Sequence, residues 1–201
     1  MKIAVILEGG GDAQAVPCLI TKTAQIMGMA VFAPHPIESG GIHKLSRPGQ
    51  LERFVELAAS RGDIEQIFIV VDLDDGCAAE MQVEFLRRIR EMPNRPEVDV
   101  SVCFCVREYE CWFLHEMETL RALAPDYEWR ENFDCGDPSS IRDAKGKLNE
   151  AMSKHYKPMT DQLKLTQKLN LYKLYNNSRS FRKFVRALSG LDYELIDTCF
   201  R

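Results

Sequence analysis

Three short, β-branched apolar runs in this chain each end in acidic residues. KIAVIL runs into Glu8, IFIVV into Asp72 and Asp74, and VSVCFCV into Glu108 and Glu110. Runs of this length and composition read as strands buried on both faces, the usual state of a parallel sheet. Helical spacing fills the stretches between them, so strand and helix alternate. That alternation predicts an α/β fold, a mostly parallel, Rossmann-like sheet of about four strands flanked by helices. In such a sheet the carboxyl ends of the strands share one edge, and ligands bind there. Carboxylates arriving at one edge from three strands repel one another unless a cation sits between them. Hard oxygen donors select Mg²⁺ or Mn²⁺.

The first strand spans 2–7 and is followed by the turn Gly9-Gly10-Gly11. A helix then starts near Asp12, with Val16, Ile20, Ala24 and Met27 at helical spacing. AVFAPHPI reads as an edge strand because proline cannot donate to a ladder. The Gly-containing loop SGGIHKLSRPG leads to a helix over about 49–60. AAEMQVEFLRRIREM and EYECWFLHEM read as further helices, the second one short. Thr119 to Ser140, with Pro125, Gly136 and Pro138, reads as an irregular loop. Three helical patterns follow, at about 139–156, 160–175 and 179–189. The expected organisation is a core over 1–118, then an irregular loop and basic helical region over 119–201 packed on it.

Charge is unevenly distributed. Between Ile141 and Arg186 there are 12 Lys and Arg against 3 Asp and Glu, whereas residues 1–140 carry 13 against 24. One end can hold cations and the other a polyanion, although a basic solvated helix surface has the same composition. The 7 cysteines form no CxxC pair and no zinc-spaced set with histidine. They read as small buried hydrophobes in a reducing cytoplasm. No apolar run approaches the roughly 20 residues of a membrane span. MKIAVILEGGGD reads as a strand and turn, not a signal peptide.

Each acidic residue has a plainer alternative. Glu8 could be an exposed residue of a simple turn, and Asp12 a helix cap. Asp72 and Asp74 are two apart, so in extended backbone they point the same way and can share a metal. Asp75 reads as a turn residue with Gly76. Glu108 and Glu110 would diverge if both lay on a helix, leaving one to face the site. Trp112, Phe113 and Leu114 read as core, and the four histidines form no ligand set. The glycines match neither a P-loop, which needs Lys-Ser or Lys-Thr, nor the dinucleotide fingerprint, whose third Gly or Ala is Gln14 here.

The order EGGGD, VVDLDD, REYECWFL resembles the Toprim fold of primases, topoisomerases and overcoming-lysogenization-defect nucleases. That resemblance implies Mg²⁺ binding by Glu8, Asp72 and Asp74. The chain also resembles the Toprim-like group called domain of unknown function 4276. The likeness lies in the EG turn, the DxDD turn, the acidic-aromatic-acidic string before Trp112, Lys145-Gly146, and Ser180-Phe181-Arg182. Many relatives carry Glu where this chain has Asp12. The Glu110-x-Trp112 element is similar to Toprim-like proteins paired with ATPases in defence loci, which implies an ATPase partner and a role against phage.

The expected activity is therefore Mg²⁺- or Mn²⁺-dependent phosphodiester cleavage of DNA or RNA. Glu8, Asp72, Asp74, Glu110 and Lys145 would be catalytic, with Asp12 and Glu108 as further metal ligands. Lys145, Lys147, Arg182 and Lys183 would contact nucleic acid. The competing expectation is a non-catalytic Toprim-fold scaffold of an ATPase complex. A nucleotide-sugar transferase would use DLDD but leaves Glu8 and the basic region unexplained. A haloacid-dehalogenase-type phosphatase carries its DxD on the first strand, which here ends in Glu8.

Overall fold

The computed structural model describes residues 1–201. In chain order its elements are β1 (Ile3–Leu7), α1 (Asp12–Ile26), β2 (Ile37–Glu38), α2 (Ile42–Leu45), α3 (Gln50–Ala59), β3 (Gln66–Leu73), α4 (Ala78–Arg90), β4 (Asp99–Val106), α5 (Glu110–His115), α6 (Met117–Leu123), α7 (Ala144–Ala151), α8 (Pro158–Lys168), α9 (Leu171–Asn177), α10 (Arg179–Ser189) and α11 (Tyr193–Cys199). The four strands form one sheet in the order β2-β1-β3-β4. Every pairing is parallel, with Leu7 opposite Val70 and Asp72 opposite Cys105. From β1 the chain steps to β2 on one side and then crosses to β3 on the other. The switch point of the sheet therefore lies between the carboxyl ends of β1 and β3, where open α/β sheets bind ligands.

Strand parity divides the core. Ile3, Val5, Leu7, Phe68, Val70, Cys103 and Cys105 face one hydrophobic cluster, shared with α1 and the helices from α5 onward. Ala4, Ile6, Ile67, Ile69, Val71, Val102 and Phe104 face the other, covered by α2, α3 and α4. The C-terminal helices thus share one apolar cluster with the sheet. Trp112 ties them to it. Its ring is fully buried, 4.9 Å from Tyr109 and 5.6 Å from both Phe181 and Phe184 by centroid, and its indole N–H donates to Ser180 Oγ at 2.8 Å.

Several boundaries differ from the sequence reading. The edge strand shrinks to Ile37–Glu38, since Pro34 and Pro36 remove donors and His35 has positive φ. The loop before α3 contains the one-turn helix α2, and α6 extends into the stretch read as irregular. Helix α7 is limited to eight residues. The single helix expected over 160–175 is two, because Asn170 accepts from the N–H groups of Tyr172 and Lys173 and starts α9 afresh. Helix α11 follows the Gly190 stop, with Ile196 buried. No helix is long and apolar enough to cross a membrane.

Truncating Trp112 to Ala should destabilise the fold by about 3–5 kcal/mol, the usual cost of a buried aromatic. Chemical denaturation measures it. A loss under about 1 kcal/mol, the range of a residue outside the core, would show that the C-terminal helices do not depend on this contact.

Candidate functional site

The acidic residues at the switch point are brought in by backbone geometry. β1 ends at Leu7, whose carbonyl accepts from the amide and hydroxyl of Ser39, both at 2.8 Å. Gly41, at φ +85°, then passes so close that a Cβ there would lie 2.8 Å from Glu8 Cδ. Only glycine allows this loop to close against Glu8. Gly11 has the same role for α8, where a Cβ would lie 2.6 Å from the Pro158 carbonyl oxygen. Gly11 is also the N-cap of α1, so Asp12 is the first helical residue and not the cap. Its carboxylate turns to Gln162, whose amide donates to it at 2.6 Å.

Asp72, the penultimate residue of β3, has one oxygen fixed by the Tyr109 N–H at 3.0 Å. Glu110 is fully buried at the start of α5, and its Oε1 accepts from the Tyr156 hydroxyl at 2.9 Å. Glu108 precedes the helix, so the divergence expected of two helical residues does not arise. Both glutamates reach the same place. Glu108 Oε2 accepts from the Lys145 backbone N–H at 3.0 Å. That amide is presented by the first turn of α7, which Asp143 caps by accepting from Gly146 N–H at 2.8 Å. A Cβ on Gly146 would meet the Asp143 carboxylate, which explains the Lys-Gly pair.

The Lys145 ammonium stands among these groups, 3.6 Å from Glu110 Oε2, 3.8 Å from Glu108 Oε2 and 4.0 Å from Asp72 Oδ2. Glu110 Oε2 is buried and has no hydrogen-bond partner. Asp72 and Glu110 thus each spend one oxygen on a protein donor and aim the other at a single centre. Burial, then repulsion from Asp12 and Glu110, holds the Asp72 carboxyl well above its usual range, against the opposing pull of Lys145. Burial raises Glu110 to about 7, opposed by Lys145 and the Tyr156 hydroxyl. Burial raises Asp12 to about 6, with Glu8 adding to it and Gln162 opposing. Glu108 is raised by burial. Burial would lower Lys145, but Glu110, Asp72 and Glu108 outweigh it and keep the ammonium charged.

The structure therefore gathers Glu8, Asp12, Asp72, Glu108, Glu110 and Lys145. Asp74 lies past the end of β3 with its side chain exposed. Asp75 pairs with Arg107 at 3.0 Å and Arg142 at 2.9 Å. Lys147 is half-buried and pairs with Glu150 at 2.6 Å. Arg182 is exposed on α10, and Lys183 is half-buried there. Tyr109, Tyr156, Gln162 and Gly41 were not legible as site residues. Each acts through a contact between distant positions, and although Tyr109 lies in the acidic-aromatic-acidic string, it acts through its backbone N–H, which no side-chain motif reports. No three Asp, Glu, His or Cys side chains are arranged so as to hold a metal ion. The carboxylates turn toward the ammonium instead.

The family described as domain of unknown function (DUF4276) matches residues 7–189, and the chain belongs to it. No curated protein matches the chain, and no solved structure does.

Carboxyls with raised pKa set the sign of a pH dependence. Asp12 goes from an ordinary 3.8 to about 6 and Glu110 from 4.5 to about 7, so the folded state binds more protons than the unfolded chain in between. In metal-free buffer their contribution to stability is full below about pH 4 and falls as pH rises to about 7. Denaturation at stepped pH should show that Glu110→Gln flattens this fall. An unchanged slope in the variant would mean that Glu110 is not protonated more readily when folded.

Proposed function

We propose that this family member is a Toprim-like, metal-dependent nuclease acting on DNA or RNA, with its site at the crevice between β1 and β3. The observation that carries the reading is the fixed pair of inward oxygens, Asp72 Oδ2 and Glu110 Oε2, the second buried without a donor. A hard-oxygen pair of this kind suits Mg²⁺ or Mn²⁺. Asp72 and Glu110 would hold the ion, with Glu8, Asp12 and Glu108 around it and the exposed Asp74 at the mouth. Bound there, the ion would polarise a phosphodiester and activate water.

The chain's own residues do the rest. The Tyr109 N–H and the Tyr156 hydroxyl hold the two ligating carboxylates in one rotamer each. The Lys145 side chain is 45% exposed on a flexible stem. Once its place among the carboxylates is taken, it can turn toward phosphate oxygens and offset their developing charge. Lys147, Arg182 and Lys183 supply phosphate contacts that carry little sequence information. The proposal includes the ATPase partner and the anti-phage setting implied by the Toprim resemblance.

One observation favours a second reading. Lys145 already stands within 4.0 Å of three carboxylates, so the cluster could be a permanent structural ion group in a non-catalytic scaffold of an ATPase complex. Lys145→Met separates the two. In the nuclease, the metal-free variant should lose stability and regain it with Mg²⁺ or Mn²⁺, which replaces the missing cation. In the scaffold, neither ion restores it.

Asp72→Ala tests the nuclease directly. Wild type should gain about 2.7 kcal/mol at a metal concentration 100 times Kd, and should cleave single- or double-stranded oligonucleotides. The variant should do neither, and its apo form should be slightly more stable because a repelling carboxylate is gone. Cleavage that survives in Asp72→Ala would remove this residue from the chemistry.

A further inference from the structure

A concave space lies at the carboxyl end of β4, beside α5. It is a cavity of about 300 Å³ bounded by the starts of α4 and α10, with Val106, Cys111 and His115 on its walls. Arg179 and Lys183 line it from α10. None of its 10 lining residues is acidic, in a chain with 30 Asp and Glu. Neither cation takes part in an ion pair. Two unpaired cations in a concave site without an acid hold a net positive potential that solvent only partly screens.

The backbone adds to that potential. Helix α4 starts at Cys77 with no side-chain cap, and its first hydrogen bond runs from Met81 N–H to the Cys77 carbonyl. The N–H groups of Ala78, Ala79 and Glu80 therefore have no acceptor within the chain, and Ala78 and Ala79 line the cavity. At the start of α10, Ser178 caps Phe181 and leaves the N–H groups of Arg179 and Ser180 without one. Two helix N-termini of full length thus converge with two cations, and the Ser139 hydroxyl stands nearby, paired with His115 at 3.3 Å. Donors and positive charge are present, and acceptors of matching charge are missing. A tetrahedral oxyanion is the ligand that satisfies such a set.

We propose that this cavity seats a phosphate group of the nucleic-acid strand. The identification of the strand rests on the nuclease reading above, whereas the phosphate seat does not. Cys111 and His115 belong to α5, which begins with Glu110, so cavity and crevice flank the same short helix. A strand laid across the carboxyl ends of β3 and β4 meets both. The seated phosphate would set which neighbouring phosphodiester reaches Asp72 and Glu110.

The test is binding in EDTA, where no cleavage can occur. Inorganic phosphate is titrated at constant ionic strength into wild type, Arg179→Gln/Lys183→Gln, and a charge-matched control, Arg130→Gln/Lys154→Gln. Wild type and the control should bind alike, and the cavity double variant at least about tenfold more weakly, as loss of a charge-assisted hydrogen bond implies. Circular dichroism verifies that each variant is folded. Labelled single-stranded oligonucleotides with a 5′-phosphate or a 5′-hydroxyl then identify the source. Preference for the phosphorylated end, lost in the cavity variant, assigns a terminal monoester. Equal binding of both, weakened in the cavity variant beyond the control, assigns a backbone phosphodiester. Equal phosphate binding by the cavity variant and the control, or no phosphate binding by wild type, would overturn the proposal. Because the readout needs no metal, a failed nuclease reading leaves this result standing.

Discussion

Carboxylates taken out of water cost several kcal/mol each unless charge and hydrogen bonds compensate, and breaking a buried ion pair on one side is more costly than never burying it. At the carboxyl edge of this sheet the compensation is one ammonium group. Lys145 is contributed from a helix more than 30 residues beyond the last strand, and it sits within 4.0 Å of Asp72, Glu108 and Glu110. The Asp143 cap on α7, the Glu108 contact to the Lys145 amide and the tight approach at Gly146 all serve to deliver that side chain. The C-terminal helices are therefore part of the site as well as part of the core.

The sheet order explains why the charges meet. With β1 and β3 adjacent and their connections leaving in opposite directions, the crevice between their ends is not filled by a crossover. Glu8 and Asp72 arrive on its two sides, and α5 closes it with Glu110. Hydrogen bonds fix one oxygen of Asp72 and one of Glu110, so their other oxygens have little freedom. Such preorganisation costs stability in the apo protein, visible in the raised carboxyl pKa values, and favours a cation that can satisfy both.

Much of this was legible in the sequence. The strands were marked by apolar runs of β-branched residues, and the carboxyl-edge position of Glu8, Asp72 and Glu110 followed from parallel pairing alone. The Lys145-Gly146 pair was visible as a family likeness, but its physical reason, a cap that tolerates no Cβ, needed coordinates. Asp72 and Asp74 share a face only while the backbone is extended. β3 ends at Leu73, so Asp74 is released to the surface. Tyr156 and Gln162 were invisible because nothing in their local sequence reports a partner 46 or 150 residues away. The break between α8 and α9 had a signal in Asn170, a good cap inside an otherwise continuous helical pattern.

We propose that the one centre now held by the Lys145 ammonium is a cation site that a divalent metal can take over. The most direct measurement is anomalous scattering from crystals equilibrated with Mn²⁺. The expected result is a single peak within about 2–2.6 Å of Asp72 Oδ2 and Glu110 Oε2, with the Lys145 side chain turned out of the cluster. Lys145 still seated among the carboxylates at saturating Mn²⁺, with no peak in the crevice, would contradict it.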